Sequence, residues 1–282
     1  MSGEVKEGSS KKKTIRAIQI IISVICIVVV VYEAIQIYRD QKAYEISGNE
    51  YDEIMEDLTG TDASSVESGS VKYVVTGDEE ESGEGYPDLK INFKGLSAIN
   101  EDYVGWIYFP ALSISYPIVK EQQVDEYLTK TFKGTKNKAG CIFMDVVSSS
   151  NFDGYSDFVF GHNMRNLSMF GSLKKLYQSE ENLLENNDYI YIYTKDYVFR
   201  YKVFAYYRTK YDSKTYDIIA TDEEYDQFLK YIDSQNVYDC PEDIDFSEYP
   251  SILTLSTCAG ASGGTTRFVV HTVKNKAWSI SE

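Results

Sequence analysis

The run AIQIIISVICIVVVVYEAIQIY, Ala17 to Tyr38, constrains this chain more than any other stretch of it. About 20 predominantly apolar residues suffice for a helix to cross the hydrocarbon core of a bilayer. Here only Gln19, Ser23, Glu33 and Gln36 interrupt the apolar character. Apolar β-branched residues cover the helix on every side, so it has no polar face with which to sit at the edge of a soluble core. The densest part, Ile20 to Tyr32, has the length of a signal-peptide core. No small-x-small cleavage site comes after it, however, because the next residues are Glu33, Ala34, Ile35 and Gln36. The run therefore reads as an uncleaved membrane anchor. The basic cluster KKKTIR (Lys11 to Arg16) precedes it and predicts a cytoplasmic N-terminus, with everything after Tyr38 outside the cell. Residues 1–16 are then a cytoplasmic tail and 17–38 the transmembrane anchor.

Charge divides the chain beyond the anchor. The net charge is −16, yet between Tyr44 and Asp88 stand 14 acidic residues and one basic residue, Lys72, so nearly all the excess lies in that segment. Tyr44 to about Leu58 has helical character, with Ile54, Met55 and Leu58 as a small apolar set. From Thr59 to Asp88 the chain is rich in Ser, Gly, Asp and Glu, a composition that buries too little apolar area to offset its ordering entropy. Residues 39–88 are expected to be an acidic flexible stalk with a possible short helix, and 89–282 the folded domain. With no basic patch, nucleic acid is excluded as a partner.

The folded part reads mainly as strands. WIYFP (Trp106 to Pro110) and ISYPIV (Ile114 to Val119) predict a hairpin across ALS. CIFMD (Cys141 to Asp145) and DFVFGHN (Asp157 to Asn163) are short apolar runs, the second ended by Gly161. YIYIYT (Tyr189 to Thr194) and YVFRYKVFAYYRT (Tyr197 to Thr209) predict a second hairpin, and ILTLSTC and RFVVHTV the last two strands. Ser172 to Asn186 reads as a helix broken in its middle. TDEEYDQFLKYIDS reads as another, with Thr221 and Glu224 at capping-box spacing and Tyr225, Phe228, Leu229 and Ile232 as its apolar stripe. The simplest architecture is a mainly β fold, a barrel with peripheral helices.

Few residues are equipped for chemistry. The chain has two histidines, His162 and His271, and four cysteines, of which Cys141, Cys240 and Cys258 come after the anchor. An odd number of exported cysteines points to a free reactive thiol or an intermolecular bridge, and whether Cys141 and Cys240 pair is left open. No motif for zinc, a nucleotide or a phosphate is present, so no metal or cofactor is expected. A cysteine attacks as its thiolate, and an imidazole can take its proton. Side-chain alternation in TLSTC puts Thr254, Ser256 and Cys258 on one face. His162 stands where a strand ends, whereas His271 is mid-strand and reads as a half-buried structural residue, so His162 is the expected partner of Cys258. Arg267 opens the next strand. If the two strands are neighbours, its cation can face Cys258, where it would stabilise a thiolate or a developing oxyanion; position alone fits an ordinary surface arginine at a strand start equally well.

TLSTC followed by RFVV, with FGHN about a hundred residues upstream, resembles the sortases, membrane-anchored cysteine transpeptidases of Gram-positive bacteria. The GHNM…SMFGSL context, GWIYFP, YPIV and the helix before TLSTC resemble class B members. The resemblance covers roughly Ile99 to Val273. It implies an eight-stranded β-barrel, with Cys258 as nucleophile, His162 as general acid/base and Arg267 as the substrate- or oxyanion-stabilising residue. It further implies cleavage of a C-terminal sorting signal after Thr. The resulting thioester would pass to an amine of a cell-wall precursor or a pilin, so the partners are surface proteins with sorting signals and a peptidoglycan-precursor or pilin amine. In some class B members an acidic residue shortly after the cysteine has been considered an orienter of the histidine. Ala259 to Thr266 contains none, so a Cys–His–Arg site is expected. The same residues would also serve an extracellular thiol protease that uses water, and the barrel alone would serve a non-catalytic exported scaffold.

Overall fold

The computed structural model describes residues 4–59, 72–75, 85–185, 187–238, 241, 243–258 and 264–280. It divides into two compact units, 1–46 and 47–282. The first is helical and belongs to α1 (Glu4–Thr59). The helix includes an 18-residue window of mean hydropathy 2.7, none of it buried, and is long and apolar enough to cross a membrane.

The second unit opens with the last turns of α1, where Tyr51, Ile54 and Met55 are buried. Glu50 explains part of this docking. Its carboxylate accepts from Thr131 Oγ1 and from the Lys133 amide, both at 2.9 Å. Tyr51 donates to the Gly140 carbonyl at 3.1 Å and meets the Tyr116 ring edge-on. Of the 39–88 segment, the structure thus describes this helix end and a two-stranded ladder, β1 (Tyr73–Val75) with β2 (Gly85–Pro87). The rest of the expected stalk, 60–71 and 76–84, lies outside the described residues.

A short helix, α2 (Phe93–Ile99), precedes the barrel and was not foreseen. Gly95 in its first turn disguises it in the sequence. The Asn92 side chain accepting from the Gly95 amide and the wholly buried Leu96 hold it in place.

Eight strands then close on themselves. They are β3 (Tyr103–Phe109), β4 (Ile114–Lys120), β5 (Ile142–Met144), β6 (Ser156–Phe160), β7 (Tyr189–Tyr193), β8 (Tyr197–Lys210), β9 (Ile252–Cys258) and β10 (Thr266–Ser279). Around the barrel the order is β10-β8-β7-β3-β4-β5-β6-β9. Both expected hairpins, β3–β4 and β7–β8, are present and antiparallel. Two contacts are parallel, β4 with β5 and β6 with β9. Closure leaves the barrel no open edge, which removes the aggregation liability of unpaired strand backbone.

The segment 172–186 is less helical than its composition suggests. A 3-10 turn, Gly171–Lys174, leads into a single α turn, α3 (Lys175–Gln178). Beyond it Ser179 Oγ accepts from the Glu181 amide and Asn182 Oδ1 from the Leu184 amide, so side chains take amides a helix would have used. The other helix, α4 (Asp222–Gln235), has its full capping box between Thr221 and Glu224. It lays Tyr225, Phe228 and Ile232 against Phe204, Tyr207, Ile252, Val269 and Val273, residues of β8, β9 and β10.

Candidate active site

The strand order brings the three expected residues to one end of the barrel. β9 lies between β6 and β10. β6 and β9 run parallel with Phe160 opposite Ser256, so two further residues along each chain lead to His162 and Cys258. At about 3.3 Å of rise per residue and about 4.8 Å between strands, their backbones leave the sheet side by side. On the other flank β10 is antiparallel to β9, and Arg267 is the register partner of Cys258. The Cys258 backbone at the end of β9 thus has a histidine leading off the strand on one side and an arginine on the strand on the other.

Gly161 allows the first of these juxtapositions. Its amide donates to the Ser256 carbonyl at 3.2 Å, continuing the ladder. A Cβ there would lie 2.5 Å from Ile142 Cδ1 and 2.7 Å from Phe170 Cγ, so only glycine lets the chain pass. His162 is the next residue, and its Nε2 lies 2.6 Å from the Leu128 carbonyl oxygen. A carbonyl only accepts, so Nε2 carries the hydrogen and, in the neutral ring, Nδ1 is the basic nitrogen. Leu128 ends a 3-10 turn, Glu126–Leu128, and its carbonyl is one that such a turn leaves without an internal partner.

Arg267 is held by its own approach loop. Its Nη1 donates to the carbonyls of Gly264 (2.9 Å) and Thr266 (3.1 Å), and the guanidinium lies 5.9 Å from the centre of the Tyr211 ring. These bonds fix where the cation points without neutralising it.

The hydroxyls that share a strand face with Cys258 are wholly buried. Ser256 Oγ hydrogen-bonds the Tyr216 hydroxyl at 2.8 Å, and Thr254 Oγ1 bonds His271 Nδ1 at 2.9 Å. His271 is wholly buried, not half-buried as its mid-strand position suggested. Its Nε2 meets the Tyr207 hydroxyl at 3.0 Å, and Phe204 and Phe228 pack around the ring. Burial pushes its pKa down to about 3. It is a neutral core residue, structural as expected but more deeply buried.

His162, Arg267, Ser256, Thr257, Phe160 and Tyr216 line one cavity of about 470 Å³. Val124, Leu128, Phe143, Val146 and Val147 supply an apolar wall, and Glu121, Asp125 and Asp145 an acidic one. Two other clefts, of about 430 and 1250 Å³, include neither His162 nor Arg267. Sequence reasoning missed the Leu128 carbonyl, Tyr211, Tyr216 and Glu121. None carries a motif, and each enters the site from a strand end, loop or 3-10 turn distant in sequence. Cys141 is buried and free, and burial pushes its pKa up to about 12. Cys240 lies outside the described residues.

A family model described as Sortase domain matches residues 107–275. Sortase B of Listeria monocytogenes is 30% identical over 177 residues, covering 61% of this chain and 68% of the relative. Among solved structures, sortase B from Bacillus anthracis in complex with AAEK1 is 30% identical with a TM-score of 0.62, covering 83% of this chain and 99% of that one. The structure of Clostridium perfringens sortase B is 31% identical with a TM-score of 0.59, covering 65% and 99%.

Proposed function

The chain belongs to the sortase family, with class B relatives, a family of transpeptidases, and we propose that it cleaves a C-terminal sorting signal after threonine through a thioester on Cys258. The thiolate attacks the threonine carbonyl carbon, and the C–N bond to the next residue breaks. His162 gives its proton to the leaving amine. An incoming amine of a cell-wall precursor or pilin then loses a proton to His162 and attacks the thioester, and the Cys258 thiolate departs. Arg267 faces the oxyanion of each tetrahedral intermediate and lowers its energy in a partly desolvated site.

The observation that carries this reading is the flanking of β9 by β6 and β10, with Arg267 in register with Cys258 and the β6 extension leading to His162 beside the cavity. The Leu128 carbonyl adds to it, because it selects the tautomer in which Nδ1 can exchange protons. The basic cluster Lys11 to Arg16 supports a cytoplasmic N-terminus with the barrel outside.

The test uses the full chain in detergent micelles with a library of sorting peptides, with and without an amine acceptor. The expected result is an acyl adduct on Cys258 by mass spectrometry and an amine-dependent transfer product, both lost in Cys258→Ala. Peptide hydrolysis indifferent to every amine would replace the transpeptidase with a thiol protease. An adduct that persists in Cys258→Ala would remove the nucleophile assignment.

A further inference from the structure

Glu121 has no place in the acyl-transfer steps, yet it is a carboxylate only 3% exposed that lines the same cavity as His162. It stands one residue past β4, where its amide donates to the Met144 carbonyl at 3.0 Å. Its Oε1 accepts from the Tyr127 amide at 3.2 Å. That amide belongs to the 3-10 turn Glu126–Leu128, whose own N-cap, Asp125, makes no side-chain capping bond. Glu121 therefore does from outside what an N-cap side chain does from within. The other end of the same turn is the Leu128 carbonyl, which accepts from His162 Nε2. One turn of backbone connects a buried carboxylate to the imidazole. Tyr127, in the middle of it, is 1% exposed and tied by its hydroxyl to Asn100 and Asp102.

We propose that Glu121 is a positioning residue for His162, acting through the Glu126–Leu128 turn, and so takes the orienting part for which Ala259 to Thr266 supply no acidic residue. The inference rests on His162 being the acid/base group. Burial pushes the Glu121 pKa up to about 7, and the charges of Asp125 and Asp145 push the same way. Lys120 on β4 carries the nearby opposite charge, and His162 and Arg267 line the cavity with Glu121. Below about pH 7 the carboxyl is protonated and its acceptor bonds are those of a neutral group. Above it they are charge-assisted and stronger.

The experiment compares the full chain in micelles with Glu121→Ala and Glu121→Gln. The readouts are kcat and KM for a sorting peptide between pH 5.5 and 9, and nitrogen shifts of labelled histidine. With only two histidines in the chain, and His271 neutral throughout, the His162 signals stand alone. Glu121→Ala should lower kcat by about tenfold or more at little-changed KM, as small misplacements of a reacting group do. It should also convert the fixed Nε2–H form of His162 into a mixture of tautomers. Glu121→Gln keeps one acceptor oxygen, so it should restore the tautomer and most of kcat, but lose the inflection near pH 7. An alanine variant with wild-type kcat and a fixed tautomer would overturn the proposal, as would a fall in kcat with the tautomer unchanged. Should the alanine variant not fold, a glutamine variant that retains the inflection near pH 7 would overturn it too. His162→Ala separates the two levels: if that variant still transfers, the functional reading fails. If it is inactive while Glu121→Ala is normal, only the role given to Glu121 fails.

Discussion

Replacing His271 by phenylalanine separates the two histidines of this chain and turns burial into a measurable pH dependence. The wild-type ring lies between Thr254 Oγ1 and the Tyr207 hydroxyl with no exposed surface. Phenylalanine fills similar space but bonds neither. Tyr207 keeps Thr215 Oγ1 at 3.2 Å, so the main orphan is the Thr254 hydroxyl. An orphaned buried hydroxyl costs about 1–3 kcal/mol, so His271→Phe should be about 2 kcal/mol less stable than wild type at pH 8. Lowering the pH changes the comparison. The folded-state pKa of His271 is depressed to about 3, against about 6.5 in the unfolded chain. Its contribution is therefore fully present above pH 6.5 and is lost as the pH falls toward 3. At pH 5 the unfolded state has taken up the proton and the folded state has not, which costs the wild type about 2 kcal/mol. The variant has no such group, so the stability gap should nearly close at pH 5. Both tryptophans, Trp106 and Trp278, lie buried in barrel strands, so urea unfolding tracked by their fluorescence reports the barrel in the full chain. A gap that stays the same at pH 8 and pH 5 would refute the burial argument. Acyl transfer at pH 8 should survive His271→Phe. Its loss in a folded variant would make His271 part of the chemistry.

Three further outcomes rest on single contacts. Thr221→Ala removes the capping box of α4 and should cost about 1 kcal/mol, a fall of roughly 2–4 °C in the barrel's melting temperature. Gly161→Ala places a methyl group against Ile142 and Phe170. It should cost about 1–3 kcal/mol in stability by overpacking. Its cost to peptide cleavage should be larger, because the displaced residue is His162; equal activity per folded molecule would contradict that. Ile54→Ala empties a site that is 1% exposed and should destabilise the barrel unit by about 2–5 kcal/mol in urea. No change would mean that the end of α1 does not pack on that unit in solution.

What the sequence determines here is set by local periodicity and by the rarity of reactive residues. The membrane-length run is legible because hydropathy over about 20 residues needs no partner to be interpreted. The strands of the barrel and α4 are legible because alternation and the helical stripe are properties of one segment at a time. With two histidines and one thiol at a strand end beside an arginine, the trio His162, Cys258 and Arg267 could be nominated without coordinates. The tertiary structure decided what those nominations could not contain. Parallel pairing of β6 with β9 is a long-range choice among strands that look alike in sequence, and it alone brings His162 to the strand end of Cys258. Glu50 and Tyr51 read as solvated members of an acidic stretch until Thr131, Lys133 and Gly140 fold against them. The Leu128 carbonyl could not have been found at all, since every residue has one. Only its place at the end of a capped turn, opposite an imidazole, gives it a role. A missing carboxylate after Cys258 is a fact of the sequence, whereas a buried carboxylate at Glu121 became visible only when the barrel closed around it. The physical reason is the same in each case: backbone groups and buried charges take their meaning from partners dozens of residues away, which no local pattern encodes.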